Sequence, residues 1–158
     1  MVPERLKQIK GIRILESEDE IPQEGFTCRF GKHTVVANDE ESFEIVRLYK
    51  RLTVYELLLS LVDSICVHPK EEALRFSLKK VREFLDAEEV YLIEGDASYS
   101  SKGEKLSIDE IKKKHPGASV REWRNKLHLV VVREGAFDEE EEVLCTKLLE
   151  FIGNVSEK

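Results

Sequence analysis

Cysteine is scarce in this sequence, and its spacing excludes two kinds of structure. The 158 residues include three cysteines, Cys28, Cys66 and Cys145, and no two of them form a Cys-x-x-Cys pair. A disulfide framework needs an even set of cysteines, and a zinc site needs closely spaced ligands. We therefore expect three reduced thiols that are mostly buried, with neither a disulfide scaffold nor a metal site.

The sequence also lacks the common motifs of catalytic sites. It contains no nucleophile elbow of the form Gly-x-Ser-x-Gly, no phosphate-binding P-loop and no Gly-x-Gly-x-x-Gly turn. Its four histidines are scattered, without the His-Glu-x-x-His spacing of zinc proteases. We therefore expect a protein that is not an enzyme, and the sequence leaves the identity of any cofactor unknown.

Long apolar runs are missing as well. The longest spans residues 57–67 and is interrupted by Ser60, Asp63 and Ser64, whereas a membrane-spanning helix needs about 20 apolar residues. The first residues, MVPERLKQIKG, lack the apolar centre of a secretion signal. We therefore predict a cytoplasmic protein that does not have a membrane as its partner.

Positive charge is in deficit, because the formal net charge is −7 at pH 7. Nucleic acids and anionic membranes bind clustered positive charge, so we expect neither as a partner. Charged residues make up 36% of the chain, with much Glu and Lys and few Asn and Gln. This composition is typical of proteins from thermophiles.

The strongest positive signal is the stretch of residues 40–66, EESFEIVRLYKRLTVYELLLSLVDSIC, which has no proline or glycine and predicts one long helix. One set of its apolar residues steps alternately by three and four positions, the spacing of a coiled-coil seam: Ile45, Leu48, Leu52, Tyr55, Leu59, Val62 and Cys66. A second stripe, of Leu58, Leu61 and Ile65, lies beside this seam. Two interpretations stay open here. Either the seam from Ile45 to Val62 is a homodimer interface, or both stripes form one wide face buried in a single core.

The N-terminal segment, residues 1–39, carries shorter signals. Residues 4–15 are amphipathic and compatible with a helix that Gly11 interrupts, and an acidic loop follows at residues 16–25. Alternating residues at 26–30 and 33–37 predict a β-hairpin around Gly31-Lys32.

The remaining part, residues 69–158, alternates between helix and strand signals. His68-Pro69 ends the long helix and begins a second one that runs to Leu85. The pattern then predicts a strand at 89–94, a loop or weak edge strand at 96–105, a short helix at 107–114 and a hairpin of 120–123 with 127–133. A last helix, capped by Asp138, is expected to end at Gly153-Asn154. We interpret its acidic run, DEEEE, as a solvated first turn.

Two stretches of this part resemble the GAF domain family. The opening, PKEEALRFSLKKVREFLDAEEVYLIEGD, is similar to the family's first core helix, acidic turn and first strand. The closing stretch, NKLHLVVVREGAFDEEEEVLCTKLLEFIGNV, is similar to its last strand, Phe-acidic turn and terminal helix. The helix of residues 40–68 matches the lead-in helix through which such domains often dimerise. The resemblance, over residues 40–158, implies an α+β fold with a central, mostly antiparallel sheet and helices on both faces.

The resemblance also implies a function. It implies a non-enzymatic sensory or regulatory module that binds a small ligand or a signalling protein and signals through its long helix. Candidate ligand-binding residues are His128, Val130, Tyr99, Ser101 and Arg121. The alternative is a dimerisation or scaffold protein with a degenerate, filled pocket. The short middle segment, residues 97–119, favours this alternative, because that region usually supplies the lid over the ligand in the family.

Overall fold

Helices and antiparallel strands alternate along the chain in the computed structural model, which describes residues 2–15 and 25–156. Within these residues the chain forms five helices and two sheets, so the predicted α+β class is confirmed. The elements are α1 (Glu4–Lys7), β1 (Ile12–Leu15), β2 (Phe26–Phe30), β3 (His33–Ala37), α2 (Glu40–Val67), α3 (Lys70–Leu85), β4 (Glu89–Glu94), β5 (Ala97–Ser100), α4 (Ile108–Lys114), β6 (Ser119–Trp123), β7 (Leu127–Val132) and α5 (Glu139–Ser156). The acidic loop predicted at residues 16–25 lies outside the described residues, apart from Gly25.

The first sheet is formed by the three N-terminal strands in the order β1-β3-β2, and both pairings are antiparallel. The predicted hairpin is confirmed, but a helix over residues 12–15 is wrong. Gly11 turns the chain at a φ of +91°, and Ile12–Leu15 then pairs along the free edge of β3. This sheet has its own core, so the expectation of one central sheet is corrected to two sheets.

The long helix α2 joins the two halves of the molecule. It begins at Asp39, whose Oδ1 accepts a hydrogen bond from the backbone N–H of Ser42 at 2.7 Å, and it ends before His68-Pro69 as predicted. Its 28 residues span about 42 Å. Val46 is buried in the core of the first sheet, whereas Val54 and Leu61 are buried with α3 and α5. One helix therefore contributes to both cores.

The second sheet has four antiparallel strands in the order β5-β4-β7-β6. Alternate residues of its central strands point to opposite faces. Val90, Leu92, Leu129 and Val131 face a core shared with α2, α3 and α5, while Tyr91, Ile93, Val130 and Val132 face α4. The predicted sheet with helices on both faces is confirmed, and β7 is buried on both sides.

The last helix, α5, begins with the predicted capping box. Asp138 Oδ1 accepts from the N–H of Glu141 at 2.8 Å, and Glu141 Oε1 accepts from the N–H of Asp138 at 3.0 Å. The helix does not end at Gly153-Asn154 but continues to Ser156. Gly153 is needed for a close contact, because a Cβ there would lie 2.5 Å from the Trp123 ring of β6.

No helix in the described part of the chain is both long enough and apolar enough to cross a membrane.

Candidate functional site

Four apolar side chains on the outer face of α2 are exposed to solvent. Their exposed fractions run from 48% to 65%, and we call the set the exposed stripe: Leu48, Leu52, Tyr55 and Leu59. All four belong to the seam predicted from sequence spacing. Of the other seam residues, Cys66 is exposed, whereas Ile45 and Val62 are half-buried and Ile45 packs against the core of the first sheet. The structure thus brings the middle of the predicted seam to the surface on one helix face.

The exposed stripe is left uncovered because α2 uses its other side for the cores of its own chain. The helices α3 and α5 contact the second sheet, and α2 packs on both of them. Its second predicted stripe faces this interior, with Leu61 buried and Leu58 and Ile65 packed against the same cluster. A contiguous apolar patch on a protein surface often marks an interaction site, whereas apolar residues exposed singly are common and carry no such meaning.

The two neighbouring helices border the exposed stripe. On the α3 side, the half-exposed Phe76 lies under Lys80, whose Nζ is 4.5 Å from the ring centroid. The same Nζ donates a hydrogen bond of 2.8 Å to Ser60 Oγ on α2. On the α5 side, Tyr55 and Val143 line a shallow groove of about 270 Å³. Beside the stripe, the surface therefore carries Lys80 over Phe76 on the α3 side and the groove at Tyr55 on the α5 side.

A buried cluster of charges joins α2 to the start of α5. Lys50 on α2 is fully buried, donates a hydrogen bond to Asp138 and lies 3.7 Å from Glu141 Oε2. Glu141 is also buried and receives two hydrogen bonds, of 2.7 and 3.0 Å, from Arg133 at the end of β7. Each charge in this cluster has a partner of opposite sign, as buried charges require.

The acidic run of α5 was interpreted as a solvated first turn, and this is wrong for two of its residues. Glu140 and Glu141 are buried. The Oε1 of Glu140 lies 3.4 Å from Arg47 and 3.6 Å from Arg51, both on α2. In the sequence, the sign of this burial is a set of basic residues, Arg47, Lys50 and Arg51, whose spacing places them on one face of a helix. Their partners lie some ninety residues later, so local patterning could not pair them.

The face of the second sheet toward α4 is filled by buried side chains. Tyr91 and Val130 are buried there against Ile111 of α4, with Leu106 and Ile108 packed around them. Burial raises the pKa of the Tyr91 hydroxyl to about 12. The α4 segment therefore acts as a second core layer under this part of the sheet.

The structure does not bring the five candidate ligand-binding residues together. His128 and Val130 point toward α4, but Tyr99 and Arg121 pair with Leu92 and Leu129 and so face the opposite side. Ser101 lies at the end of β5, where its hydroxyl donates to the buried carboxylate of Glu89. Strand register decides the face of each side chain, and the sequence does not state it.

Arg121 forms an ion pair with Glu142. Its Nη2 and Nε donate to the Glu142 carboxylate at 2.6 and 3.0 Å, and its guanidinium carbon lies 4.1 Å from the centroid of Phe137. These hydrogen bonds hold the pKa of Glu142 below its usual range. The Arg121 side chain thus fixes β6 to the start of α5.

An open cleft remains at the rim of the second sheet. It has a volume of about 510 Å³ and lies between β5 and the start of α4, with Ile93, Ser98, Tyr99 and Asp109 in its lining. Tyr99 is the one residue of the predicted ligand set that lines it. The cleft is large enough for a small molecule.

Val130→Trp tests whether the sheet face toward α4 is as tightly packed as its burial indicates. We expect a loss of about 3 kcal/mol in the free energy of unfolding, because an indole cannot fit among fully buried neighbours. Urea denaturation followed by circular dichroism measures this. Val120→Trp is the control, since Val120 pairs with Val130 but is exposed. Equal stability of the two variants would mean that the space behind β7 is open.

Comparison with known proteins found no match: no family model, no curated protein and no solved structure resembles the chain at a significant level. The fold and the site together define the chain as an α+β protein with a filled sheet face and an exposed apolar stripe on α2. The GAF resemblance of residues 40–158 stays a prediction.

Proposed function

We propose that this protein is a non-enzymatic homodimerisation module, in which two copies pack through the exposed stripes of their α2 helices. The observation that carries the proposal is the stripe itself. Its side chains recur at steps of four, three and four residues, the spacing at which one helix inserts its side chains between those of another. A second copy presents the same surface, which suits a two-fold symmetric interface.

The buried carboxylates and thiols support a role without catalysis. Buried carboxylates are held by partners: Glu89 by Ser101 and backbone amides, Glu140 by arginines and Glu141 by Arg133. Burial raises the pKa of the Cys28 thiol to about 11 and that of the Cys145 thiol to about 12. Nucleophilic catalysis needs an ionised thiol or an available base, and these groups offer neither at neutral pH.

A second candidate function is a sensory module, and the rim cleft of about 510 Å³ favours it. A small ligand or a signalling protein bound between β5 and α4 would alter the packing of the sheet. The charge cluster of Lys50, Asp138, Glu141 and Arg133 connects the sheet to α2, so it offers a route by which such a change reaches the dimer helix.

Native mass spectrometry of the purified full chain separates these proposals. A dimer mass without any addition is the expected result and supports the dimerisation module. A dimer mass with a small-molecule increment supports the sensory module instead, and the increment identifies the ligand. Light scattering at protein concentrations that span about a hundredfold range also detects a weak dimer, because such a dimer dissociates on dilution. A monomer throughout that range contradicts both.

A further inference from the structure

We propose that the two α2 helices pair in parallel and in register, with Arg51 of each copy beside Glu56 of the other. This inference rests on the proposed dimer. It goes further, because the apolar stripe alone fits a second helix running in either direction. The charges that flank the stripe distinguish the two directions.

The flanking positions follow from the spacing of the seam. One type of core position (a) is occupied by Ile45, Leu52, Leu59 and Cys66, and the other (d) by Leu48, Tyr55 and Val62. The positions just before each a residue (g) hold Glu44, Arg51, Leu58 and Ile65. The positions just after each d residue (e) hold Tyr49, Glu56 and Asp63. Along the exposed stripe, the charged flanking residues are therefore Glu56 at an e position and Arg51 at a g position, whereas Tyr49 (e) and Leu58 (g) are uncharged.

A parallel pair places each g residue opposite the e residue five positions later in the partner. Arg51 then faces Glu56 of the partner, and the two-fold axis repeats this contact, so two ion pairs form. Both side chains are exposed in the single chain. Arg51 lies 3.6 Å from Glu140, but Arg47 also contacts Glu140, so Arg51 can turn outward without leaving that buried carboxylate unpaired.

An antiparallel pair does not bring the opposite charges of Arg51 and Glu56 together. It places e positions opposite e positions and g positions opposite g positions. Glu56 and Asp63 then approach acidic or uncharged residues, whereas Arg51 and Leu58 offer each other no opposite charge. Because only the parallel direction brings Arg51 opposite Glu56, the flanking charges favour that direction.

Cys66 provides a built-in probe of this direction. It is exposed at the last a position of α2, whereas Cys28 and Cys145 are buried with raised thiol pKa values. In a parallel pair the two Cys66 residues lie next to each other across the two-fold axis. In an antiparallel pair centred on the stripe they lie about 35 Å apart, from the rise of 1.5 Å per residue.

The test is cross-linking of the full chain with a short bismaleimide at neutral pH, together with light scattering of the same sample. We expect a covalent dimer that persists in Cys28→Ser/Cys145→Ser and is lost in Cys66→Ser. A dimer in light scattering that does not cross-link at Cys66 overturns the parallel arrangement and leaves the proposed function intact. A monomer in light scattering overturns the proposed function and the parallel pair together.

A charge exchange tests the ion pair directly. Arg51→Glu is expected to raise the dimer dissociation constant about tenfold, because it turns two attractions into two repulsions. Arg51→Glu/Glu56→Arg restores the opposite charges with their order reversed, so we expect dimerisation to recover. A merely structural role of Arg51 would not be rescued by the second substitution, and failure of the double variant to recover therefore rules out this ion pair.

Discussion

Leu52→Glu/Leu59→Glu is expected to convert the dimer into a folded monomer. Both leucines are more than half exposed in the single chain, so glutamates there remain solvated and leave the fold intact. In the dimer the same substitutions place four carboxylates in an apolar seam, and a buried unpaired charge costs several kcal/mol. Light scattering should report half the wild-type mass, and circular dichroism should report unchanged helix content.

The matched control is Val120→Glu, which adds a charge at an exposed apolar residue of the sheet edge, away from α2. We expect this variant to remain a dimer. If the Leu52/Leu59 variant keeps the wild-type mass, another surface holds the two copies together. If it loses its secondary structure, the leucines serve the fold of the single chain, and the exposed stripe is not an interface.

Lys50→Met is expected to lower the free energy of unfolding by about 3–5 kcal/mol. The methionine fills a similar volume, so the loss arises from charge and not from a cavity. Lys50 is the α2 partner of Asp138 and Glu141 in the buried cluster, and its removal leaves their negative charge balanced by Arg133 alone. Urea denaturation followed by circular dichroism measures the difference.

Lys147→Met serves as the control for this substitution. Lys147 lies on α5 and forms an exposed pair with Glu150 at 3.5 Å, so its loss should cost less than about 1 kcal/mol. A Lys50→Met variant that is as stable as this control would contradict a structural role for the charge cluster. The cluster would then not connect α2 to α5 energetically.

The sequence was sufficient where the determining pattern is local. The length of α2 follows from helical spacing, and its C-terminal end follows from the His68-Pro69 break. The exposed stripe was also present in the spacing, because its residues recur on one helix face. What the spacing could not decide is whether that face lies inside the chain or outside it, since α3 and α5 are brought to α2 only by the tertiary fold.

The sequence was insufficient where a distant partner decides the outcome. Ile12–Leu15 is a strand because it completes the edge of β3, some twenty residues later. Tyr99 and Arg121 face away from His128 because strand register, which the sequence does not state, places them opposite Leu92 and Leu129. Glu140 and Glu141 are buried because α2 supplies their counter-charges.

The double use of α2 has a consequence for the cooperativity of folding. Each core buries part of the same helix: Val46 belongs to the first, and Val54 and Leu61 to the second. Helix formation propagates from turn to turn, so order imposed by one core extends toward the other. Neither sheet can lose its packing without weakening the helix that the other requires. We therefore expect the two sheets to unfold as one cooperative unit, although no strand pairs between them in the part of the chain that the structure describes.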